Sequence, residues 1–446
     1  MGYQINTIIK AVGLQNIILE KIETCEIGLK YKIYCQQDRR FCRCNHCDGP
    51  LGAVHEWKDR IIRGPPVGAF IETVIYLRQF RGYCHMCDDK VRSAKLDFVH
   101  PNFQNMTMAL CEFAGRLMQE MTCEAVARLL RLNPKTMWDL DQIRMRMLKP
   151  LLSLPEDIDL SFMSADEVHF RSLRKVNSVA RPEIKFVTTL VCYKESKILS
   201  TAMGRDSKAL KICLDVLTNP QKLSIIFFAV DMHDPFIKVI KKYCTNAEIC
   251  VDRFHLSQHV NDAFDWVRKH EFSLAKKQND EFQIKMLSPH RRFVLVEKEK
   301  KLEKKDLKML DRLKELNKNI LNGMILVEHF HTILDKKEVV EFRKSLTLWY
   351  RLVRESGLKP FRRLASTIRK YRLNIESYIR SKLTTAVSEG LNNKIKVLKR
   401  MGYGYTNQDS FQLKILQRCG FLNSNYINTT NWFWSIPADL ALKTPF

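Results

Sequence analysis

The stretch from Leu160 to about residue 270 constrains the fold most, because its pattern alternates between strands and helices. Three β-type runs follow one another with short polar breaks: LSFMSADEVHF, IKFVTTLVCY and KILSTAMG. A helical pattern, the apolar run LSIIFFAVDM, a second helix, the strand-like EICVDRFHL and a third helix come next. The order β-β-β-α-β-α-β-α predicts an α/β fold of the ribonuclease-H-like kind, a mixed sheet flanked by helices.

Two acidic residues stand out by their place in this order. Asp166 lies on the first strand, and Asp231 ends the most apolar strand of the chain. Carboxylates that lie close together on adjacent strands repel each other and stay ionised when cations lie between them. Two Mg²⁺ (or Mn²⁺) ions suit such oxygen ligands and can activate a water or a 3′-hydroxyl for phosphoryl transfer. A single Asp at a strand end is more often a turn or cap residue, so the prediction depends on the pair.

A third acid comes from the helical segment TTAVSEGLNNKIKVLKR. Glu389 shares one helical face with Asn393, Lys396 and Arg400. We expect Glu389 to complete the metal site, and Lys396 and Arg400 to bind DNA phosphates. Taken alone, this helix favours the simpler interpretation of a solvated charged face. At the first position of the site, Glu167 is the alternative to its neighbour Asp166.

Two C-x2-C pairs near the N-terminus predict a zinc site. Each such turn directs two sulfurs at one point, so two pairs can close one tetrahedral Zn²⁺ site, with Cys44, Cys47, Cys84 and Cys87 as ligands. The pairs are too far apart for a short finger, so we expect an inserted β-hairpin that includes FIETVIYLRQF. The alternatives are reduced cysteines without a metal, or a different fourth ligand from a neighbouring set: Cys42, His46 and His85.

The segment after Pro101 predicts a helix-turn-helix. Apolar residues recur at helical spacing, and Asn133-Pro134 is typical of an N-cap and the first position of a new helix. In such a motif the second helix enters the major groove of DNA, and three side chains would face it: Lys135, Thr136 and Asp139. Arg131 stands in the turn where Gly is common. Two packed helices without a DNA role are the alternative.

Charge and hydropathy narrow the class of partner. The formal net charge of +25 favours a polyanionic partner, but the charge alone does not distinguish double-stranded DNA from other polyanions. A basic protein without such a role is the alternative. No apolar run approaches the roughly 20 residues of a membrane span, and the first residues lack the pattern of a secretory signal. We therefore expect a cytoplasmic protein without membrane contact, which in a bacterium acts on the nucleoid.

Several strings together resemble the ISL-three family of bacterial insertion-sequence transposases. They are ADEVHF, AVDM, VDRFHLSQHVNDAFDWVRK and SEGLNNKIKVLKRMGYGY, and the resemblance runs from about residue 10 to residue 420. It implies a DDE transposase in which Asp166, Asp231 and Glu389 hold the catalytic metals. Asp252 and His255 match a D/C-x2-H signature of related families, which implies that they support the site. A structural role for His255 is the alternative.

The resemblance also implies an activity and its partners. Such an enzyme binds the terminal inverted repeats of its element, cleaves there in a metal-dependent reaction and joins the ends to target DNA. A homo-oligomer is expected on DNA, because two ends must come together. The alternatives are a catalytically decayed or co-opted sequence-specific DNA-binding protein, and a nuclease of the same fold that resolves branched DNA.

The chain distance from Asp231 to Glu389 is more than twice that from Asp166 to Asp231, which predicts an insertion. We expect a zinc-binding domain at 1–100, a helix-turn-helix domain at 101–155, the first part of the catalytic core at 156–269, a basic all-helical insertion at 270–372, the last core helices at 373–420 and a tail at 421–446. The Lys/Glu-rich part of the insertion is also compatible with a solvated helical hairpin or a coiled-coil dimer contact.

Overall fold

The computed structural model describes residues 9–10, 12–172, 184–291, 304–382, 386–402, 405 and 407–422. The protein divides into two compact units, the first within Met1–Ser153 and Leu398–Phe446 and the second within Leu154–Val397. The boundary between the units falls inside one helix, Ala386–Met401. Residues 423–446, most of the tail predicted from the sequence, lie outside the described residues, and the six-part division stays a prediction.

The strands fall into two groups along the chain. They are Ile17–Cys25 (β1), Lys30–Gln37 (β2), Val54–Gly64 (β3), Glu72–Cys84 (β4), Lys90–Ser93 (β5), Val99–His100 (β6), Phe103–Thr107 (β7), Phe162–Ser172 (β8), Ile184–Cys192 (β9), Lys197–Met203 (β10), Phe227–Val230 (β11) and Glu248–Val251 (β12). The first seven form one sheet in the first unit, and the last five form another in the second unit.

Helices follow the first sheet along the chain, alternate with the last strands of the second and continue toward the C-terminus. They are Met108–Glu120 (α1), Cys123–Leu130 (α2), Pro134–Leu148 (α3), Ser207–Leu214 (α4), Asn219–Leu223 (α5), Asp234–Tyr243 (α6), Arg253–Gln278 (α7), Glu281–Leu287 (α8), Lys304–Leu316 (α9), Lys318–Leu334 (α10), Val339–Ser356 (α11), Lys359–Lys370 (α12), Arg372–Ser381 (α13), Ala386–Met401 (α14) and Gln408–Cys419 (α15). Among the described residues, no helix is both long enough and apolar enough to cross a membrane.

The sheet of the first unit has the spatial order β1-β2-β4-β3-β7-β6, with β5 paired to β4. Every second residue of β2 is buried, including Tyr31, Ile33 and Cys35, because alternate side chains of a strand point to opposite faces. β3 and β4 pair antiparallel between the two C-x2-C pairs. This pairing confirms the inserted β-hairpin predicted from the sequence.

Side-chain caps fix where α2 and α3 begin. The hydroxyl of Thr122 accepts a hydrogen bond from the N–H of Ala125 at 3.1 Å, and the side-chain oxygen of Asn133 accepts one from the N–H of Lys135 at 2.8 Å. Pro134 occupies the first turn of α3, where its missing N–H costs nothing. Residues 131–133 therefore join two consecutive helices, as the sequence predicts.

Arg131 adopts a left-handed backbone conformation in this connection, with φ of 54°. That conformation costs a non-glycine residue roughly 1–2 kcal/mol. The guanidinium of Arg131 donates to the carbonyl of Gly28 at 2.7 Å and lies 3.7 Å from the carboxylate of Glu72. These contacts explain why Arg occupies a turn position that ordinarily favours Gly, because its side chain links the turn to the first sheet.

A buried ion pair joins α15 to α1 and α3 inside the first unit. Lys414 Nζ lies 2.6 Å from Asp141 Oδ2 and donates to the carbonyl of Met118 at 2.8 Å. The side chain of Asp141 is fully buried and that of Lys414 is 7% exposed. Gln417 donates to the second oxygen of Asp141 at 3.2 Å. The pair is therefore hydrogen-bonded on both oxygens, the condition under which buried charges are tolerated.

Lys414→Met is expected to destabilise the first unit by about 3–5 kcal/mol, because it leaves the carboxylate of Asp141 buried without its partner. Denaturant unfolding of the full chain measures the change. Arg128→Met is the matched control: Arg128 forms an exposed i,i+4 pair with Glu124, and such pairs contribute about 1 kcal/mol or less. Equal losses in the two variants would contradict the role given to the buried pair.

The sheet of the second unit has the order β10-β9-β8-β11-β12. β8, β9 and β10 pair antiparallel, whereas β11 pairs parallel with both β8 and β12. Three strands, α4, the short α5, β11, α6, β12 and α7 follow one another along the chain. Apart from α5, this is the element order predicted from the sequence, and the sheet is mixed as expected.

The described residues between 270 and 372 form helices, and α10 and α12 pack against α7. Trp349 lies in the core of these helices, and its indole N–H donates to the carbonyl of Leu326 at 2.9 Å. Arg343 of α11 donates two hydrogen bonds to the buried carboxylate of Glu376 on α13, at 3.0 and 2.6 Å. The helical segment therefore has its own packed interior. Residues 292–303, part of its Lys/Glu-rich stretch, lie outside the described residues.

Candidate functional site

Aspartates occur at matching positions on, or directly after, three neighbouring strands of the second unit. Ala229 of β11 pairs with Ser164 of β8, so Asp231 and Asp166, each two residues further on, lie at the same level. β12 pairs in parallel with β11, and Asp252 comes one residue after its last paired position. Parallel strands end at the same edge of a sheet, so all three carboxylates gather at one edge.

Hydrogen bonds fix the orientation of the first two carboxylates. The backbone N–H of Glu167 donates to Asp166 Oδ1 at 2.7 Å, and that of Met232 donates to Asp231 Oδ1 at 2.6 Å. Asn392 of α14 donates its amide to Asp166 Oδ2 at 2.6 Å. Each carboxylate thus accepts through one oxygen from the backbone N–H of the next residue, and Asp166 also accepts from helix α14, which is distant in sequence.

His255 lies between the other members of the group. Its Nδ1 is 3.9 Å from Asp231 Oδ2, and its Nε2 is 3.9 Å from Asp252 Oδ2. Asp252 is 1% exposed and immediately precedes α7, whereas His255 sits in the first turn of that helix. The structure therefore brings Asp252 and His255, both singled out in the sequence, to the side of Asp231.

Negative charge accumulates at this edge. Burial raises the pKa of Asp166 above its ordinary value, with a further contribution from the charge of Asp252. Burial, followed by the charges of Asp166 and Asp231, raises the pKa of Glu167 to about 7. His233 Nδ1 lies 3.7 Å from Glu167 Oε1. Cations would favour the ionised carboxylates here, because they offset both the burial and the mutual repulsion.

Helix α14 contacts strand β8 through small polar groups that sequence reasoning missed. The hydroxyls of Ser388 and Ser164 lie 2.6 Å apart, and the Asn392 amide binds Asp166. Ser388 is 1% exposed and Asn392 is 8% exposed. Two polar residues spaced by four on the apolar side of a helical pattern were the signal in the sequence.

Glu389 precedes Asn392 on α14 by three residues, so the two occupy neighbouring parts of the helix surface. The side chain of Glu389 is exposed, as are those of Asn393, Lys396 and Arg400, so the helical face predicted from the sequence is a solvent-facing one. Among the described residues, no contact joins the Glu389 carboxylate to Asp166 or Asp231. The structure thus gathers two of the three predicted acids, and the assignment of Glu389 stays a prediction.

The two cysteine pairs of the first unit converge on one point. Cys44 Sγ lies 4.0 Å from Cys87 Sγ, and Cys47 Sγ lies 3.5 Å from Cys84 Sγ. All four sulfurs lie within 4.8 Å of one another. A tetrahedral zinc with Zn–S bonds of about 2.3 Å separates its sulfurs by roughly 3.8 Å, close to these distances. The four thiols could therefore hold a metal ion.

The neighbours considered as alternative ligands lie outside this group. Cys42 Sγ donates to the carbonyl of Asp38 at 3.5 Å, and the ring of His85 pairs with Asp89. His46 comes closest, with Nδ1 3.7 Å from Cys87 Sγ. Burial acts to raise the pKa of Cys44, but N–H donors from Cys47 and His46, together with the neighbouring thiols of Cys84 and Cys47, outweigh it and lower the pKa to about 7. A thiol ionised this readily suits metal binding.

The residues predicted to bind DNA lie at or near the surface. Lys135 is exposed at the start of α3, and its Nζ lies 3.1 Å from Asp139 Oδ1. Thr136, next to it, is half-buried. Lys396 and Arg400 are exposed on α14.

Comparison of the sequence with known proteins finds similar transposases. A family model described as a transposase, of the ISL3 type, matches residues 166–415. A transposase for insertion sequence element IS1001 from Bordetella parapertussis is 25% identical over 405 residues, covering 90% of this chain and 95% of the relative. A transposase for insertion sequence element IS1557 from Mycobacterium tuberculosis is 20% identical over 239 residues, covering 50% of this chain and 54% of the relative.

These matches define the class of the protein as a transposase, an enzyme that processes DNA. Within that class, the chain belongs to the ISL3 family, which confirms the resemblance inferred from its motifs. The matched region begins at Asp166 and includes the three strand-edge aspartates, His255 and Glu389.

Proposed function

We propose that the protein is a DDE transposase in which Asp166, Asp231 and Glu389 hold two Mg²⁺ (or Mn²⁺) ions for DNA cleavage and strand transfer. The observation that carries the proposal is the placement of Asp166 and Asp231 at one level of adjacent parallel strands. The strand order β10-β9-β8-β11-β12, antiparallel then parallel, supports a ribonuclease-H-like core.

The donor set fits divalent cations. Carboxylate oxygens are the ligands that Mg²⁺ and Mn²⁺ prefer. Burial first, and then the charges of Asp166 and Asp231, raise the pKa of Glu167, and a nearby cation would offset both effects. When bound, the metal pair supplies an activated nucleophile and stabilises the leaving oxygen. Hydrolysis and strand transfer are both in-line phosphoryl transfers, so one site can serve both.

The protein's own groups orient this site. Asn392 and the backbone N–H of Glu167 fix the carboxylate of Asp166, while His255 spans from Asp231 to Asp252. We propose that His255 orients Asp231 and contacts the scissile phosphate. Glu389 lies on α14, and its exposed carboxylate is accessible to ions that arrive with DNA.

The first unit is proposed to recognise the ends of the element. Its four cysteines would bind Zn²⁺ and fix the end of β4 against residues 44–47. The α2–α3 pair would act as a helix-turn-helix, with Lys135 and Thr136 of α3 facing DNA.

Basic surfaces on the rest of the chain would bind the DNA backbone. Lys396 and Arg400 lie on the exposed face of α14 that also carries Glu389, which suits contacts to phosphates near the cut. The helical segment 270–372 would add further backbone contacts. Bringing two terminal inverted repeats and a target together requires a homo-oligomer on DNA, which in a bacterium places the protein on the nucleoid.

A cleavage assay tests this function. Purified full-length protein is expected to cut a duplex carrying the DNA that flanks its own gene, in Mg²⁺ or Mn²⁺ but not in EDTA, and to join the freed 3′-hydroxyl to target DNA. A duplex with the terminal sequence scrambled is the control. Specific binding without cleavage would instead support a decayed or co-opted DNA-binding protein. Cutting of branched DNA without terminal repeats would support a resolving nuclease.

A further inference from the structure

The first third of α7 presents an exposed face of unusual composition. Phe254 is 53% exposed, and it lines a groove of about 320 Å³ together with four polar residues: Ser257, Gln258, Asn261 and Asp262. These four side chains make no hydrogen bond to any other residue that the structure describes. The opposite side of α7 is buried through Leu256, Val260 and Phe264. We call the exposed side the α7 face.

The α7 face begins beside the acidic site. The ring of Phe254 lies 5.7 Å from the ring of His255, centroid to centroid. His255 Nδ1 is in turn 3.9 Å from the carboxylate of Asp231. Since an α-helix rises 1.5 Å per residue, Gln258 lies about 6 Å and Asn261 about 10 Å further along the axis. These distances correspond to about two and three base steps of 3.4 Å.

The chemistry of the α7 face suits bases better than phosphates. It contains neither Lys nor Arg, although the chain carries a net charge of +25, and Asp262 would repel a phosphate. A side-chain amide can form two hydrogen bonds with the edge of adenine, and a carboxylate can accept from the amino group of cytosine. An exposed aromatic ring can stack on a base.

We propose that the α7 face binds the bases next to the scissile phosphate and sets the sequence preference at the cut. Phe254 stacks on the base nearest the acidic site. Gln258 and Asn261 hydrogen-bond the edges of bases further along, with adenine as the preferred partner. This inference rests on the proposed function, because it places the scissile phosphate at Asp166 and Asp231.

Base substitution next to the cut tests the role of the amides. Each of the base pairs flanking the cleavage site is changed in turn, and the cleavage rate is measured for wild type, Gln258→Ala and Asn261→Ala. For each variant, the preference for one base over the others, measured as a ratio of cleavage rates, is expected to fall about tenfold at one position. The preferences at the other positions are expected to stay unchanged. Replacing the adenine at that position by 7-deazaadenine, which lacks the N7 acceptor, should slow cleavage by wild type. The same replacement should not further slow cleavage by the variant that has already lost the amide that binds this base.

Equilibrium binding tests Phe254 without requiring cleavage. A pre-cut end duplex with 2-aminopurine as its terminal base is bound by full-length protein, and fluorescence reports the stacking of that base. Phe254→Ala is expected to weaken binding about tenfold and to relieve the quenching that stacking produces. The matched control is Trp266→Ala, because Trp266 is 68% exposed on the same helix but lies about a third of a turn away from Phe254 around the axis.

The outcomes separate the two proposals. One outcome is that wild type cuts no duplex, while Phe254→Ala changes binding and quenching and Trp266→Ala does not. The α7 face then binds a base, and the proposed function fails. If wild type cuts and the α7 variants alter neither base preference nor quenching, the inference is overturned and the proposed function stands. Equal losses in Phe254→Ala and Trp266→Ala, or dissociation of an oligomer by Phe254→Ala, would also overturn it.

Discussion

Asp231→Asn is expected to slow cleavage of the end duplex by at least about 10³-fold in Mg²⁺. The substitution keeps the shape of the side chain but removes the charge that would hold a divalent cation. Losing several kcal/mol of transition-state stabilisation corresponds to about three orders of magnitude in rate. Asp166→Asn should cause a similar loss, because the two aspartates occupy equivalent positions on adjacent strands.

Variants of other acidic residues show whether the loss of activity is specific to Asp166 and Asp231. Glu167→Gln should retain more activity than Asp166→Asn, because Glu167 contacts His233 and its charge adds to the repulsion at the site. Asp215→Asn is the surface control: Asp215 forms an exposed pair with Lys211, away from the acidic site in sequence and on a different element. All variants should bind the duplex in Ca²⁺ as wild type does, which shows that folding is intact.

Glu389→Gln tests whether Glu389 is the third metal ligand. If Glu389 binds the metals when DNA is present, its variant should lose as much activity as Asp231→Asn. Cleavage near the wild-type rate would remove Glu389 from the site. Wild-type cleavage by both Asp166→Asn and Asp231→Asn would contradict the whole acidic site. Rates measured at saturating DNA separate these outcomes from changes in affinity.

Much of the second unit was predictable because local patterns determine it. Strand β11 is a short apolar run followed by Asp231. A buried parallel strand of this kind can be recognised from one sequence, because its residues form a continuous apolar run. The helix N-caps of the first unit were predictable for the same reason, since Asn133-Pro134 acts within one turn. Such features depend on neighbours in the chain.

Contacts between distant segments were not predictable from one sequence. Asn392 and Ser388 reach β8 only after α14 has docked on the sheet, and no local pattern specifies the partner of a buried amide. The same holds for Lys414, whose partner Asp141 lies in a helix of the N-terminal region. Helix α15 thereby belongs to the first unit. A lysine in a helical pattern ordinarily indicates a solvated face, so burial of this one follows from tertiary packing alone.

Cys84→Ser is expected to remove the bound metal and disorder the junction between β4 and residues 42–50. Wild type should carry about one zinc per chain, and the variant should carry almost none, because three thiolates bind a structural zinc far more weakly than four. Zinc binding contributes about 10–16 kcal/mol in small zinc-finger peptides. Here the sheet keeps its own core around Ile33, Ile75 and Leu77, so we expect partial unfolding of the first unit and loss of end-specific DNA binding.

Cys42→Ser is the matched control, since Cys42 is as buried as Cys87 but bonds the carbonyl of Asp38 outside the cluster. It should retain its zinc and its DNA binding. His46→Ala tests the nearest alternative ligand, and full zinc content in that variant would confirm four sulfurs as the donor set. Metal analysis, together with hydrogen exchange across 42–50 and 84–94, measures both effects. Equal zinc content in wild type and Cys84→Ser would rule out the tetrathiolate site, because sulfurs separated by 3.5 and 4.0 Å can bind one ion tightly only as a set.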